Sequence, residues 1–338
     1  MKHAIYLGAT VLACGGACGG DSKTPSDAAT PRADSAPLDG DPGGKITFKS
    51  AEDSLLYRLE ALPNATPVPL SAELDQLSSG GDDNPYVSKD GSWLTTSTSR
   101  FGCGETLGDC LAVFSGDGTS GEPVTIGGTR LAVRGRAAIN NAGDLIVYPD
   151  RGGPNNLDLF AIRRESVGWS QPQLVSGDSP ESFNDFPAMS ADGTRVVFDC
   201  GAVPFSQEGT DICVVASDGT GFAKLVESDD NPTGSSGSFL AHHGDFLADG
   251  TIVFEANWDA EQVWLLRPDG GQPARVDSQF SNDNSPCALP GGYLASLWLQ
   301  RPGNQDAHEI KVMAPDGSEA SVILPDVDVL DLGMSCHQ

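Results

Sequence analysis

Six side chains of this 338-residue chain have types and positions suited to binding chemistry. Asp83, Asp185, His242 and Asn284 each stand two residues before a position that recurs along the sequence. Arg136 and His243 each stand one residue before it. Carboxylates, imidazoles, an amide and a guanidinium brought to one place could hold a cation, a sugar or a peptide end. Motifs that would go further are missing. The nearest string to a Gly-x-Ser-x-Gly elbow, Gly234-Ser235-Ser236-Gly237, lies in a Ser/Gly loop and lacks the spacing. There is no dinucleotide or phosphate loop, and no Asp-x-Asp-x-Asp-Gly loop with the closing glutamate of an EF-hand. The residues predict no catalytic set and no resident cofactor. Ca²⁺ is the one metal that so many carboxylates suggest, and its ligands are not identified.

The recurring position belongs to a repeat. In DNPYVSKDGSWLTT, DFPAMSADGTRVVF and NSPCALPGGYLASL, a proline (Pro85, Pro187, Pro286) precedes a turn glycine (Gly91, Gly193, Gly292) by six residues. Weaker copies surround Gly143 and Gly250, with Ala137 and Gly244 at the proline position. Each copy continues into an apolar run, a loop and a third β-rich run such as DICVVA, QVWLLR or EIKVMA. A second turn follows at Asp117-Gly118, Asp218-Gly219, Asp269-Gly270 and Asp316-Gly317. Asp-Gly between two β-rich runs signals a hairpin in which both turn residues take positive φ. Four antiparallel strands per unit, repeated, make a propeller blade.

Residues 45–70 supply three strands (KITFKS, SLLYRLE, TPVPL) but lack the first of a blade. A tail strand over Val327–Leu332 would complete it and lock the ring. The expected fold is therefore all-β: a six-bladed β-propeller over residues 45–338, closed by the C-terminal strand. The six binding candidates would then crowd one mouth of the central channel.

These repeats resemble the TolB-like six-bladed propeller, whose unit runs Pro-Ala, Ser-Pro-Asp-Gly, an apolar strand, Asp-Ile-Tyr-Val and an Asp-Gly turn. Pro187-Ala188 to Asp192-Gly193 with Asp211-Ile212-Cys213-Val214 carries the likeness best. The resemblance implies a fold far more than an activity, because this scaffold hosts unrelated functions.

Cysteines fit the same register. Cys103 and Cys110 flank the loop between second and third strands of one blade, and Cys200 and Cys213 take the matching place two blades on. Cys287 and Cys336 share a register in the inner strands of the last and closing blades. The expected disulfides are Cys103–Cys110, Cys200–Cys213 and Cys287–Cys336, the last fastening the seam. Paired cysteines imply an oxidising compartment. Zinc at the cysteines is disfavoured, since no Cys-x-x-Cys pair or neighbouring histidine supports it.

The first residues say where such a chain would live. A basic head (Met1-Lys2-His3) precedes an apolar run, Ala4 to Ala13, too short to span a bilayer. Val11-Leu12-Ala13-Cys14 resembles the bacterial lipobox, which implies a signal peptide over 1–13 and lipidation of Cys14. Gly16, where an inner-membrane retention signal would carry Asp, points to the outer membrane. Residues 14–44, rich in Ser, Pro, Asp and Gly, read as a flexible tether. A net charge of −27, from 20 Lys+Arg against 47 Asp+Glu, repels nucleic acid and anionic lipid.

Together these features lead to the expectation of a non-enzymatic binding or scaffold lipoprotein of the bacterial cell envelope. Its partner would be an envelope protein or a small molecule. The alternative is a Ca²⁺-dependent hydrolase or lactonase with its site in the channel.

Overall fold

The computed structural model describes residues 42–104, 109–133, 135–204, 209–234, 239–258, 261–276, 283–301, 304–324 and 328–338. The expected signal peptide, Cys14 and most of the tether lie outside the described residues.

Six four-stranded antiparallel sheets form the ring. Blade 1 joins Val329–His337 to Lys45–Ser50, Leu56–Glu60 and Val68–Pro69. Blade 2 uses Asp82–Val87, Trp93–Thr98, Cys110–Ser115 and Gly121–Pro123. Blade 3 uses Ala138–Ile139, Leu145–Asp150, Asp158–Arg163 and Gln173–Leu174. Blade 4 uses Phe183–Met189, Arg195–Gly201, Thr210–Ala216 and Ala223–Val226. Blade 5 uses Ala241–Phe246, Ile252–Ala256, Gln262–Leu266 and Ala274–Arg275. Blade 6 uses Asp283–Ala288, Leu294–Arg301, Asn304–Met313 and Ser321–Leu324. Each blade packs on the next, and blade 6 packs on the closing strand of blade 1. The core is the apolar filling between blades, such as Val196, Val197 and Phe198 with Ile252 and Phe254.

The turns form where the sequence places them, but with different chemistry. In eight of them the glycine N–H bonds to the carbonyl three residues back, from Gly91 to Ser88 through Gly317 to Ala314. Only the glycine takes positive φ, between +69° and +89°; none of the preceding aspartates does. This is a type I turn followed by a left-handed glycine, rather than the turn with two left-handed residues expected from Asp-Gly. The aspartate has another task. Asp117, Asp192, Asp218 and Asp316 each accept the N–H and hydroxyl of the Thr or Ser two residues on. That side-chain bond holds the turn without a second strained residue.

The closing strand differs from expectation in extent. It runs Val329–His337, past Leu332, and pairs Cys336 with Ile46 and Met334 with Phe48. The buried stretch Met334–His337 contributes more of the pairing than the acidic part before it, which explains the shift. Its far end also clamps blade 2: Val87 N–H bonds to Ser335 Oγ at 3.0 Å, and Gln338 N–H to the Lys89 carbonyl at 3.0 Å. Gly91 lies against it at φ +76°, where a Cβ would stand 2.8 Å from His337 Nδ1.

All three expected disulfides form, with Cα separations of 5.6, 5.9 and 5.5 Å, inside the normal bridging range. Among the described residues, a helix and a small ribbon escape the repeat. A helix over Ser71–Leu77 joins blades 1 and 2, burying Leu74. A small ribbon pairs Thr125–Ile126 with Thr129–Arg130.

Candidate functional site in the central channel

The inner strand of a blade enters at one mouth of the channel and runs to the opposite end. In blades 2, 4, 5 and 6 it breaks register near its start, between Asp83 and Tyr86, Asp185 and Ala188, His242 and Asp245, and Asn284 and Cys287. The first residue inside the break is left-handed each time: Asn84 (φ +51°), Phe186 (+51°), His243 (+56°) and Ser285 (+46°). A bulge of this kind re-aims side chains that a regular strand would send to opposite faces. In blade 5 it sets two consecutive imidazoles side by side, with ring centroids 3.9 Å apart.

Carboxylates of the second strands tie these bulges across blades. Asp199 of blade 4 accepts the His243 N–H of blade 5 at 2.8 Å. Glu255 of blade 5 accepts the Ser285 N–H of blade 6 at 2.8 Å. Glu255 also holds both imidazoles: Oε1 lies 3.2 Å from His242 Nε2, and Oε2 lies 3.3 Å from His243 Nδ1. Asp199 is 1% exposed, and its Oδ2 has no hydrogen-bond partner among the described residues. Asp185 stands opposite it in the sheet and accepts the Phe186 N–H at 2.7 Å. The Phe186 ring packs edge-on to His243 at 5.1 Å.

Burial dominates the electrostatics. It pushes the Asp199 carboxyl up to about 8, with His242 opposing and Asp185 and Glu255 reinforcing the shift. It pushes Asp185 up to about 7 against the Phe186 N–H. Glu255 goes the other way, because the two imidazoles overcome its burial and hold it below the ordinary carboxylate range. Arg136 is half-buried with its guanidinium 4.8 Å above the Tyr86 ring. Burial lowers its pKa, while Asp245, Tyr86 and Asp199 oppose that shift.

Farther along the inner strands, two contacts cross between blades. Lys89 of blade 2 reaches across to both oxygens of Asp245 in blade 5, at 2.6 Å each. Tyr86 Oη accepts the Met189 N–H of blade 4 at 2.9 Å.

The six sequence candidates do not all share one place. Asp185, His242 and His243 come together, with Arg136 close enough to act on their carboxylate neighbour. Asn284 is buried in the next blade, its Oδ1 without a hydrogen-bond partner among the described residues. Asp83 sits at the rim, half exposed and paired with Lys49 of blade 1. Sequence reasoning missed Asp199, Glu255 and Asp245. A signal existed for two of them: Val197-Phe198-Asp199 and Val253-Phe254-Glu255 put a lone carboxylate at one register of a buried strand.

No protein-family model matches this sequence, and no curated protein matches it by sequence either. Among solved structures, TolB from Acinetobacter baumannii is similar at a TM-score of 0.61 and 14% identity, over 88% of this chain and 67% of that one. A putative TolB from Agrobacterium tumefaciens gives 0.55 and 16%, over 87% and 97%. An oligogalacturonate lyase in complex with manganese gives 0.51 and 12%, over 83% and 74%. At these identities the likeness speaks for architecture: the chain folds as a TolB-like six-bladed β-propeller.

Proposed function

We propose that this chain is a binding or scaffold lipoprotein of the bacterial cell envelope, anchored through Cys14 to the outer membrane, that receives its ligand or protein partner at the bulged mouth of the channel. One observation carries the reading. Asp185, Asp199, Glu255, His242, His243 and Arg136 gather in the channel wall, where burial penalises charge and apolar residues would serve the ring as well. Ionisable groups held in a cleft against such a penalty mark functional sites. The disulfides suit an exported chain, and the TolB-like fold is compatible with a scaffold role.

Anchoring is tested by fractionating cells that make the full chain or Cys14→Ser. The expected result is membrane-bound protein of acylated mass for the first and released protein for the second. Equal membrane retention without acyl mass would overturn the assignment.

A hydrolase or lactonase is the second reading. Two buried carboxyls that keep protons near neutral pH beside two imidazoles are the makings of an acid–base pair. Proton release from a lactone by the wild type, lost in His243→Ala, would favour it over simple binding.

A further inference from the structure

We infer that Asp199, His242 and His243 form a binding site for one divalent transition-metal ion of the zinc type, with Glu255 as the outer carboxylate that orients both imidazoles. This rests on the channel-binding reading and names the ligand for it. Each of the three residues offers a donor atom, and these atoms all lie within 4.8 Å of one another. Donors sharing one zinc ion sit roughly 3–4 Å apart, given bonds of about 2.0–2.2 Å. A small inward adjustment closes the set.

The hydrogen bonds already assign atoms. Asp199 spends Oδ1 on the His243 N–H, and its buried Oδ2 is the acceptor that no described protein group meets. Glu255 engages Nε2 of His242 and Nδ1 of His243. The opposite ring nitrogens, His242 Nδ1 and His243 Nε2, are then the ones to face a metal. Imidazole bonded through one nitrogen to a carboxylate and through the other to metal is the usual outer-shell arrangement, and it raises the basicity of the ligating nitrogen.

The bulge does not itself call for histidine. Asn84, Phe186 and Ser285 occupy the position of His243 in blades 2, 4 and 6 with the same left-handed backbone. Blade 5 alone of these four follows one imidazole with another at that place. Two nitrogens and one carboxylate oxygen suit a borderline ion such as Zn²⁺ and leave coordination positions open toward the channel. Ca²⁺ takes six to eight oxygens, so the donor set argues against the calcium expectation.

The test is calorimetric titration of untagged, chelator-treated full chain with ZnCl₂, and separately with CaCl₂. One Zn²⁺ per chain is expected, with no Ca²⁺ heat at the same concentrations. Asp199→Asn and His243→Ala should weaken Zn²⁺ binding by about 100-fold or more, and Glu255→Gln by about 10–100-fold. Because a variant can fail to fold, the visible spectrum of Co²⁺ bound to the wild type gives an independent reading. Intense bands of a low-coordinate nitrogen–oxygen site support the proposal; the spectrum of aqueous Co²⁺ contradicts it. Absence of Zn²⁺ binding at about 100 µM, or unchanged affinity in folded Asp199→Asn and His243→Ala, also overturns the metal site. The broader binding reading falls separately, if neutralising Asp185 unfolds the ring.

Discussion

Deleting residues 329–338 is expected to turn a folded ring into an aggregating chain, or at the least to lower its melting temperature by tens of degrees. The loss has three parts. Lys45–Ser50 loses its inner partner strand, and an unpaired edge invites pairing with another chain. The Cys287–Cys336 bond, with a sequence separation of 49, disappears. A disulfide closing a loop of that size is worth about 2–4 kcal/mol. The bonds from Ser335 to Val87 and from Gln338 to Lys89, which fasten blade 1 to blade 2, go as well. Against a typical total of about 5–15 kcal/mol, the ring does not survive this intact. Cys336→Ala should show the disulfide share alone: folded protein with a clearly lowered midpoint, read by calorimetric scanning without reductant. A truncated chain that melts like the wild type would show that the seam is not where the ring closes.

Arg100→Met is expected to cost about 3–5 kcal/mol, the range for leaving one member of a buried ion pair alone. Arg100 is 1% exposed and donates to Asp82 Oδ2 at 2.8 Å and to Asp75 Oδ1 at 2.6 Å. It also bonds to the Ser78 carbonyl, so one guanidinium docks the helix onto blade 2. Asp82 anchors the start of the inner strand and receives the Thr96 hydroxyl. Burial raises the Asp82 pKa, and Arg100 is the charge that restrains it. Without Arg100 the folded-state value rises further above the unfolded one. A raised carboxyl stabilises the fold below its unfolded pKa, and that contribution is lost as pH climbs through the folded value. The deficit of Arg100→Met should therefore be largest at neutral pH and shrink toward pH 5, as urea midpoints at the two pH values would show. A deficit independent of pH would mean that helix docking, and not the buried carboxylate, sets the cost.

Much of the ring could be read from local chemistry. Gly91, Gly143, Gly193 and Gly250 mark turns because only glycine takes left-handed φ there without strain. Cys103, Cys110, Cys200, Cys213, Cys287 and Cys336 paired as their blade positions required. The helix over Ser71–Leu77 was hidden by being short and outside the repeat, although buried Leu70 and Leu74 have helical spacing. The site was legible only by half. His242 and His243 stand out in sequence, but their carboxylate neighbours come from second strands, and Asp199 reaches them from another blade. Contacts between blades depend on ring geometry, which no local pattern encodes. The bulge that turns both imidazoles the same way was equally invisible, because a strand pattern assumes alternation.

On the proposed function, the buried ionisable groups of the channel serve a ligand and not the ring. Denaturant unfolding of Asp185→Asn, compared with wild type, tests it most directly. Asp185 titrates near 7 in the fold, well above its unfolded value near 3.8, so keeping it buried at pH 7 costs up to about 4 kcal/mol. Asn keeps the shape and the acceptor for the Phe186 N–H without that penalty. The variant should match or exceed wild-type stability at pH 7. Its advantage should shrink as pH falls from 7 and vanish below about 3.8, where the wild-type carboxyl is protonated in both states. A variant that loses several kcal/mol at pH 7 would make Asp185 a structural group and contradict the account.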